Sequence, residues 1–402
     1  MVIADAVVVV GVHAERHVRA AGEAKHHFYP LREESRHRRK GSVVSVFDSL
    51  EVDHVGMAVA SLSLSGEQWL TGYGMRCYGF SEQDARGLRS TALGRADIHL
   101  VLTEADPVNA VYLERHGDGV TTIALRTHDA TEAYYEAVRR GALPVREPEE
   151  WNGIVTAAVT GFGDVVHTFV QRSPGVDARA LPRFTITEPS GPEAVPMAGS
   201  LDSIDHFAVC VEAGRLRPTV EYYEKVFDFR TVFAERIVVG AQAMDSIVVQ
   251  SRSGGVTFTV IEPDLTREPG QIDAFVADHG GAGVQHIAFT TGDIVTAVER
   301  MHANGVDFLS TPGTYYDRLA GRLEPARHGI ERLRANGILV DQDMDGQLLQ
   351  IFTRSTHPRR TLFFEVIERL GARTFGSGNI KALYEAVEHQ RAAAADIAPG
   401  AL

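Results

Sequence analysis

Two histidines and one glutamate stand inside otherwise apolar, strand-like stretches. His206 lies in Ile204-Asp205-His206-Phe207-Ala208-Val209. His286 lies in Val284-Gln285-His286-Ile287-Ala288-Phe289, entered through the turn Gly280-Gly281-Ala282-Gly283. Glu365 follows two phenylalanines in Thr361-Leu362-Phe363-Phe364-Glu365-Val366-Ile367. An ionised carboxylate buried without a partner costs on the order of several kcal/mol. A bound cation would remove that cost. Two neutral imidazoles and one carboxylate form the facial ligand set of non-haem iron(II) oxygenases, with positions left open for substrate. With octahedral coordination a 2-oxo acid fills two of these positions and dioxygen the third. The same donors serve zinc hydrolases, but no His-Glu-x-x-His motif is present.

The elements around these residues must be strands. In a strictly alternating strand His286 faces away from Gln285 and Ile287. The chain has 402 residues, enough for two domains with their own cores. Its formal net charge of -13 argues against nucleic acid or an anionic membrane as the main partner. Only Cys77 and Cys210 are present, so a disulfide framework is not expected and a reducing cytoplasm fits. No apolar run reaches the roughly 18 residues needed to span a bilayer. Residues 1–50, with the basic tract Arg36-His37-Arg38-Arg39-Lys40, read as a poorly ordered leader.

The rest of the chain repeats itself. Val52-Asp53-His54 matches Ile204-Asp205-His206. Residues 99–104 match 257–262, and 120–125 match 284–289. The helical stretch 129–141 matches 293–305. Residues 163–172 match 346–354. A repeat of this length means a duplicated domain. The expected organisation is a first domain at 51–172, a Pro-rich linker at 173–200, a second domain at 201–390 and a flexible tail at 391–402. Thr122 stands where the second copy has His286, and no counterpart of the Phe-Phe-Glu strand precedes the linker. The first copy is therefore structural, with His54 a remnant, and the second holds the metal.

Several long motifs in the same order carry a resemblance over residues 50–390: IDHFAV, GAGVQHIAF, TPGTYYD, DGQLLQIFT, FFEVIER and FGSGNIKALYEAVE. This set resembles the 4-hydroxyphenylpyruvate dioxygenase family. The resemblance implies an α+β, two-domain vicinal oxygen chelate fold of the glyoxalase/bleomycin-resistance type. Tandem βαβββ modules would form an open barrel in each domain. It implies Fe(II) held by His206, His286 and Glu365, with 4-hydroxyphenylpyruvate and O2 as substrates and a homodimer as assembly. It further implies that Ser246, Gln271, Gln285 and Gln350 are polar residues of the substrate pocket. Phe352 and Phe363 would sandwich the substrate ring, and Asn379 would begin a C-terminal helix covering the pocket.

Three positions depart from the dioxygenase pattern: Thr259 and Ile261 in Thr259-Val260-Ile261-Glu262-Pro263, and Ile380 in Gly378-Asn379-Ile380-Lys381. All three resemble the branch of the family that hydroxylates the benzylic carbon to 4-hydroxymandelate, a precursor of 4-hydroxyphenylglycine in peptide antibiotics. Ile261 removes an amide near the ring, and Ile380 replaces an aromatic residue. The alternative is ring hydroxylation to homogentisate in tyrosine catabolism. An extradiol catechol dioxygenase and a degenerate binding protein of the same fold are more distant readings.

Overall fold

The computed structural model of the protein describes residues 45–81, 89–104, 110–190, 199–374, 376, 378, 379 and 381. The expected helix at 379–390, Ile380 and the tail 391–402 lie outside the described residues, apart from Asn379 and Lys381. The N-terminal half contributes β1 (Glu51–Val59), β2 (Arg76–Ser81), β3 (Ser90–Arg95), β4 (Ile98–Glu104), β5 (Gly119–Arg126), β6 (Pro144–Trp151), β7 (Ile154–Thr160), β8 (Val166–Arg172) and β9 (Thr185–Ser190). The C-terminal half contributes β10 (Leu201–Cys210), β11 (Arg230–Val239), β12 (Gln242–Gln250), β13 (Thr257–Pro263), β14 (Gly283–Thr291), β15 (Leu339–Gln342), β16 (Gln347–Phe352) and β17 (Phe363–Leu370).

The strands form a nine-stranded sheet, β6-β7-β8-β5-β1-β4-β3-β2-β9, and an eight-stranded sheet, β11-β12-β13-β10-β14-β17-β16-β15. Both orders are built from one unit. A first strand crosses over through a helix, and a three-strand meander brings the fourth strand back parallel to the first. Thus β1 pairs β4, β5 pairs β8, β10 pairs β13 and β14 pairs β17, all parallel. The first strands of the two units in each half then pair antiparallel, β1 with β5 and β10 with β14. These are the expected tandem βαβββ modules, and each sheet curls into a half-barrel. The crossover helices Ala130–Arg140 and Ile294–Ala303 start at matching aspartates. Asp129 Oδ1 accepts from Glu132 N at 2.8 Å, and Asp293 Oδ1 from Thr296 N at 3.0 Å, side-chain caps for otherwise unpaired N–H groups. The last unit carries an insertion, the helices Gly313–Arg322 and Ile330–Ala335.

Pairing corrects the sequence alignment at one place. The strand that returns parallel to β5 is β8, and the one that returns to β14 is β17. The counterpart of residues 163–172 is therefore the Phe-Phe-Glu strand, and the counterpart of β16 is β7. The first copy has this strand after all, with Thr168 paired to Ala124 as Glu365 is paired to Ala288. Apolar content misled the alignment, because β16 and β17 are both largely buried.

Two boundaries also differ from expectation. Phe47 and Leu50, read as leader, are fully buried. Phe47 packs edge-on against Phe227, with ring centroids 5.7 Å apart. Part of the stretch read as linker forms β9, which pairs β2. An exposed edge of β2 would leave backbone groups unpaired, and β9 covers it.

The halves share one continuous apolar core. Trp69 and Tyr73 of the N-terminal half meet Phe364 with centroids 4.7 and 5.2 Å apart, and Trp69 also meets Phe289. Alternation therefore gives β17 two faces: Phe364 grips the first domain, while Glu365 faces the other way. Among the described residues no helix is long and apolar enough to cross a membrane.

His167 links the halves as well. Its Nε2 lies 2.7 Å from the Tyr223 hydroxyl and its Nδ1 3.2 Å from the Ile123 carbonyl. Full burial pushes its pKa down from 6.5 to about 4, against the pull of the Ile123 carbonyl. An unfolded chain would take up this proton first. Stability is thus complete above pH 6.5 and declines as pH falls toward 4. The whole effect is about 3 kcal/mol. Denaturant midpoints at pH 7 and pH 5 should differ in that direction, and His167→Gln should flatten the slope across this window.

Candidate metal centre

His206 sits on β10, His286 on β14 and Glu365 on β17, three neighbouring strands. Register places all three on one face. Ala208 pairs with His286, His206 with Ala288, and Ala288 with Glu365; side chains of directly paired residues point the same way. The ligand atoms lie within 4.8 Å of one another, and all three residues are buried. Glu365 Oε2 is 3.4 Å from His206 Nε2 and 3.3 Å from His286 Nε2. Metal–ligand bonds of about 2.1 Å meeting near right angles would set donor atoms roughly 3 Å apart.

The hydrogen bonds behind these atoms aim them. His206 Nδ1 lies 2.8 Å from Asp205 Oδ1. A neutral His206 donating there turns its Nε2 lone pair toward the Glu365 carboxylate. Two acceptors that face each other in this way suit a shared cation. Asp205 is held in turn by Arg369, whose Nε and Nη2 donate to it at 2.7 and 2.9 Å. Burial alone would raise the Asp205 carboxyl, but Arg369 and His206 outweigh it and hold it well below the usual carboxylate range. On the far side, Gln350 Nε2 donates to Glu365 Oε1 at 2.9 Å, which leaves Oε2 for the histidines. Asn379 Nδ2 donates to Gln350 Oε1 at 3.0 Å.

His286 is braced differently. Its Nδ1 is buried without a hydrogen-bond partner among the described residues. Its ring stacks on Phe363 at 4.9 Å and meets Phe352 edge-on at 5.8 Å. Burial lowers its pKa, with Glu365 opposing, so the ring is neutral near pH 7, as a ligand must be. Strict alternation fails beside it. Ala208 pairs with His286 and Val209 with Val284, so Gln285 is the extra residue of a bulge. Gln285 therefore falls outside the strict alternation expected of this stretch.

The other residues singled out from sequence fall into two groups. Ser246 pairs with Ile261, and Thr259 with both Val248 and Ala208, so these three share the face of the triad. Ile261 packs with Ala208, Cys210, Met244 and Phe275 in an apolar cluster of its own. Thr259 Oγ1 is buried and has no partner among the described residues. Gln271, Gln285 and Phe363 instead line a 640 Å³ cleft between the domains, with Gln68, Thr356 and Arg360. Phe363 is common to both, lining the cleft and stacking on His286. Asp205 and Arg369 were not singled out from sequence. The Asp-His dipeptide in both copies was the available signal.

A second group, Asp293, His328 and Glu368, has ligand spacing too. Its charges are already answered. Glu368 accepts from Arg327 at 2.6 Å and from Ile294 N at 2.8 Å, and Asp293 caps its helix. This group clamps the segment before residue 329 to β17.

Fold and site together define a two-domain vicinal oxygen chelate protein with one two-histidine, one-carboxylate triad among the described residues. Residues 203–351 match the Glyoxalase/Bleomycin resistance protein/Dioxygenase superfamily, and residues 76–179 match the family Hydroxyphenylpyruvate dioxygenase, HPPD, N-terminal. The chain is 34% identical over 358 residues to 4-hydroxyphenylpyruvate dioxygenase of Dictyostelium discoideum, covering 84% of this chain and 97% of that one. It is 30% identical over 389 residues to the enzyme of the same name from Neurospora crassa, covering 88% and 94%. A solved mutant of 4-hydroxymandelate synthase from Streptomyces coelicolor is 41% identical, with a TM-score of 0.75, covering 85% of this chain and 98% of that one. The chain belongs to the 4-hydroxyphenylpyruvate dioxygenase family, whose enzymes are iron-dependent dioxygenases.

Arg369→Lys keeps the charge and loses the two-pronged grip on Asp205. Losses behind a metal ligand typically cost about 10- to 100-fold in metal affinity. Metal titration should show a fall in that range, with the unfolding midpoint moving little for Arg369→Lys and more for Arg369→Met, which leaves Asp205 buried with only the His206 hydrogen bond.

Proposed function

We propose that the protein is a 4-hydroxymandelate synthase: an iron(II) enzyme that oxidatively decarboxylates 4-hydroxyphenylpyruvate with O2 and hydroxylates its benzylic carbon. The observation carrying this reading is the convergence of His206, His286 and Glu365, with the Glu365 oxygen and the His206 lone pair facing across a gap that a cation fits. Two nitrogens and one carboxylate suit iron(II). When bound, iron supplies the chelation of a 2-oxo acid and the activation of dioxygen.

The chain's own residues do the positioning. Gln350 keeps Glu365 turned toward the histidines. Phe352 and Phe363 offer ring faces beside His286 for an aromatic substrate. Thr259 presents a hydroxyl without a partner among the described residues, suited to a polar group of the substrate. Ser246 and Ile261 stand together on the triad's face, and the branched, apolar Ile261 gives no hydrogen bond that would fix the substrate ring. The ring can then settle with its benzylic C–H nearest the reacting centre, and orientation decides which atom is attacked. Asn379 tethers the start of the C-terminal segment to Gln350, which suits a cover that excludes water. The 41% identity to the synthase from Streptomyces coelicolor supports this branch. The curated relatives named 4-hydroxyphenylpyruvate dioxygenase favour the second reading, ring hydroxylation to homogentisate.

Protein loaded anaerobically with iron, then given air and 4-hydroxyphenylpyruvate, should yield 4-hydroxymandelate on chromatography against standards. Homogentisate alone would select the second reading, and no oxygen uptake would sink both. His286→Ala should lose iron retention and turnover together, by at least about 100-fold. Ile261→Asn, alone or with Ile380→Phe, should divert part of the product to homogentisate. An unchanged product ratio would remove these positions from the account of selectivity.

A further inference from the structure

The strand that carries His286 starts from a turn seated in the first domain. Gly280-Gly281-Ala282 leads from the helix Gln271–His279 into β14. Gly280 and Gly281 hold φ of +80° and +130°, which glycine adopts without strain. Their amides both donate to the Val276 carbonyl, at 3.1 and 2.9 Å. The end of the helix Ala110–His116 and the loop between β7 and β8 close on this turn. Arg115 Nε donates to the Gly280 carbonyl at 3.1 Å. Gly163 lies so close that a side chain there would collide with the Ala282 carbonyl.

His116, the last residue of its helix, is 1% exposed and engages both ring nitrogens. Nδ1 lies 2.7 Å from the His279 carbonyl, and Nε2 lies 2.8 Å from Asp164 Oδ2. A carbonyl can only accept. Asp164 Oδ2 also accepts from Arg115 Nη1 at 2.8 Å. The bond from His116 holds the Asp164 carboxyl below its usual range, against the effect of partial burial. With an acceptor at each nitrogen, the ring satisfies both bonds only when it carries both protons. Such charge-assisted bonds are stronger than neutral ones.

From His116 the contacts run directly to the metal strand. The His116 and His279 rings lie 4.3 Å apart, and Phe275 stacks on the far side of the pair, 5.0 Å from His279. Burial, and next the charge on His116, push the His279 pKa down to about 4, so this second ring is neutral. Its Nδ1 donates to the Gly281 carbonyl at 3.0 Å. The same ring covers Gly283, the first residue of β14, and leaves no room there for a side chain. His286 follows three residues later, just past the bulge at Gln285. Arg359 straps the joint from a third segment, with Nη2 donating to the Glu114 carbonyl at 2.6 Å and Nη1 to the Arg115 carbonyl.

We infer that His116 is a positioning residue for the ligand His286, acting through the His279 carbonyl on the turn from which β14 starts. The inference rests on the triad as the metal site. The bond to His279 reaches the turn, while the bond to Asp164 fixes the ring and answers its charge.

The test uses full-length protein, iron(II) without oxygen, and two substitutions. His116→Phe keeps the ring contacts and loses both donors. His116→Asn loses the ring contacts and places an amide N–H where Nδ1 stood. In His116→Phe, hydrogen exchange at the amides of residues 280–286 should quicken about 10-fold or more, and iron(II) affinity should fall by a similar factor. His116→Asn should recover most of both losses. A packing role alone predicts the reverse order, because Phe preserves more contact than Asn. Nitrogen-15 spectra of zinc-loaded wild-type protein at pH 7 should show a proton on each His116 nitrogen. Exchange and iron affinity alike in wild type and folded His116→Phe, or a larger loss in folded His116→Asn than in His116→Phe, overturns the inference. Should the variants fail to fold, a wild-type His116 without a proton on Nδ1 overturns it. Wild-type protein that binds no iron fails the triad reading instead, and the order of exchange rates then decides whether His116 holds the turn.

Discussion

One buried carboxylate oxygen sets the terms for this structure. Glu365 is almost wholly withdrawn from solvent, and its Oε2 looks at two imidazole nitrogens. Left as an anion among apolar strands it would be a liability. The surroundings are arranged so that its charge has one outlet. Gln350 occupies one oxygen, Asp205 and Arg369 fix the first imidazole, and Phe352 and Phe363 confine the second. Every one of these partners sits on a strand of the same curled sheet or on the residue next to it. A sheet is a suitable platform because hydrogen-bonded pairs hold side chains to a common face at fixed spacing, without long flexible connections.

The duplicated architecture separates what the fold needs from what the chemistry needs. Both halves retain the aspartate, the histidine and the arginine (Asp53, His54 and Arg172 in the first), on strands separated by one intervening strand. In the first half this trio ties β1 to β8 without a complete ligand set, so it has a structural worth that does not depend on a metal. In the second half the same trio also chooses which ring nitrogen faces inward. The first domain is more than a relic in another respect: Trp69 and Tyr73 pack directly on Phe364, on the reverse side of the strand carrying Glu365.

Much of this was legible in the sequence, for physical reasons. His206, His286 and Glu365 stand out because polar residues rarely interrupt apolar strand patterns without a partner. The helices at 130–140 and 294–303 announce themselves through aspartate caps. The two-module order followed from the repeat. What was not legible depended on pairing. Alternation predicted opposite faces for Gln285 and His286, and only the register with β10 reveals the bulge. The match of 163–172 to the wrong strand arose because buried strands look alike in composition, whereas a parallel partner is unique. Phe47 and Leu50 were hidden behind a basic tract that dominates the composition of the first fifty residues. Asp205 was visible but read as part of a motif, since its arginine partner lies far along the chain.

The two-faced strand β17 has an implication for how the protein matures. Sliding it by a single residue would bring Phe364 into the barrel and turn Glu365 onto the neighbouring domain. The aromatic grip from the first domain penalises such a slip, because it would offer a carboxylate where Trp69 and Tyr73 expect a ring. The aromatic residues of the amino-terminal half thus act as a gauge for the register of β17, although the three candidate ligands all lie on strands of the carboxy-terminal sheet.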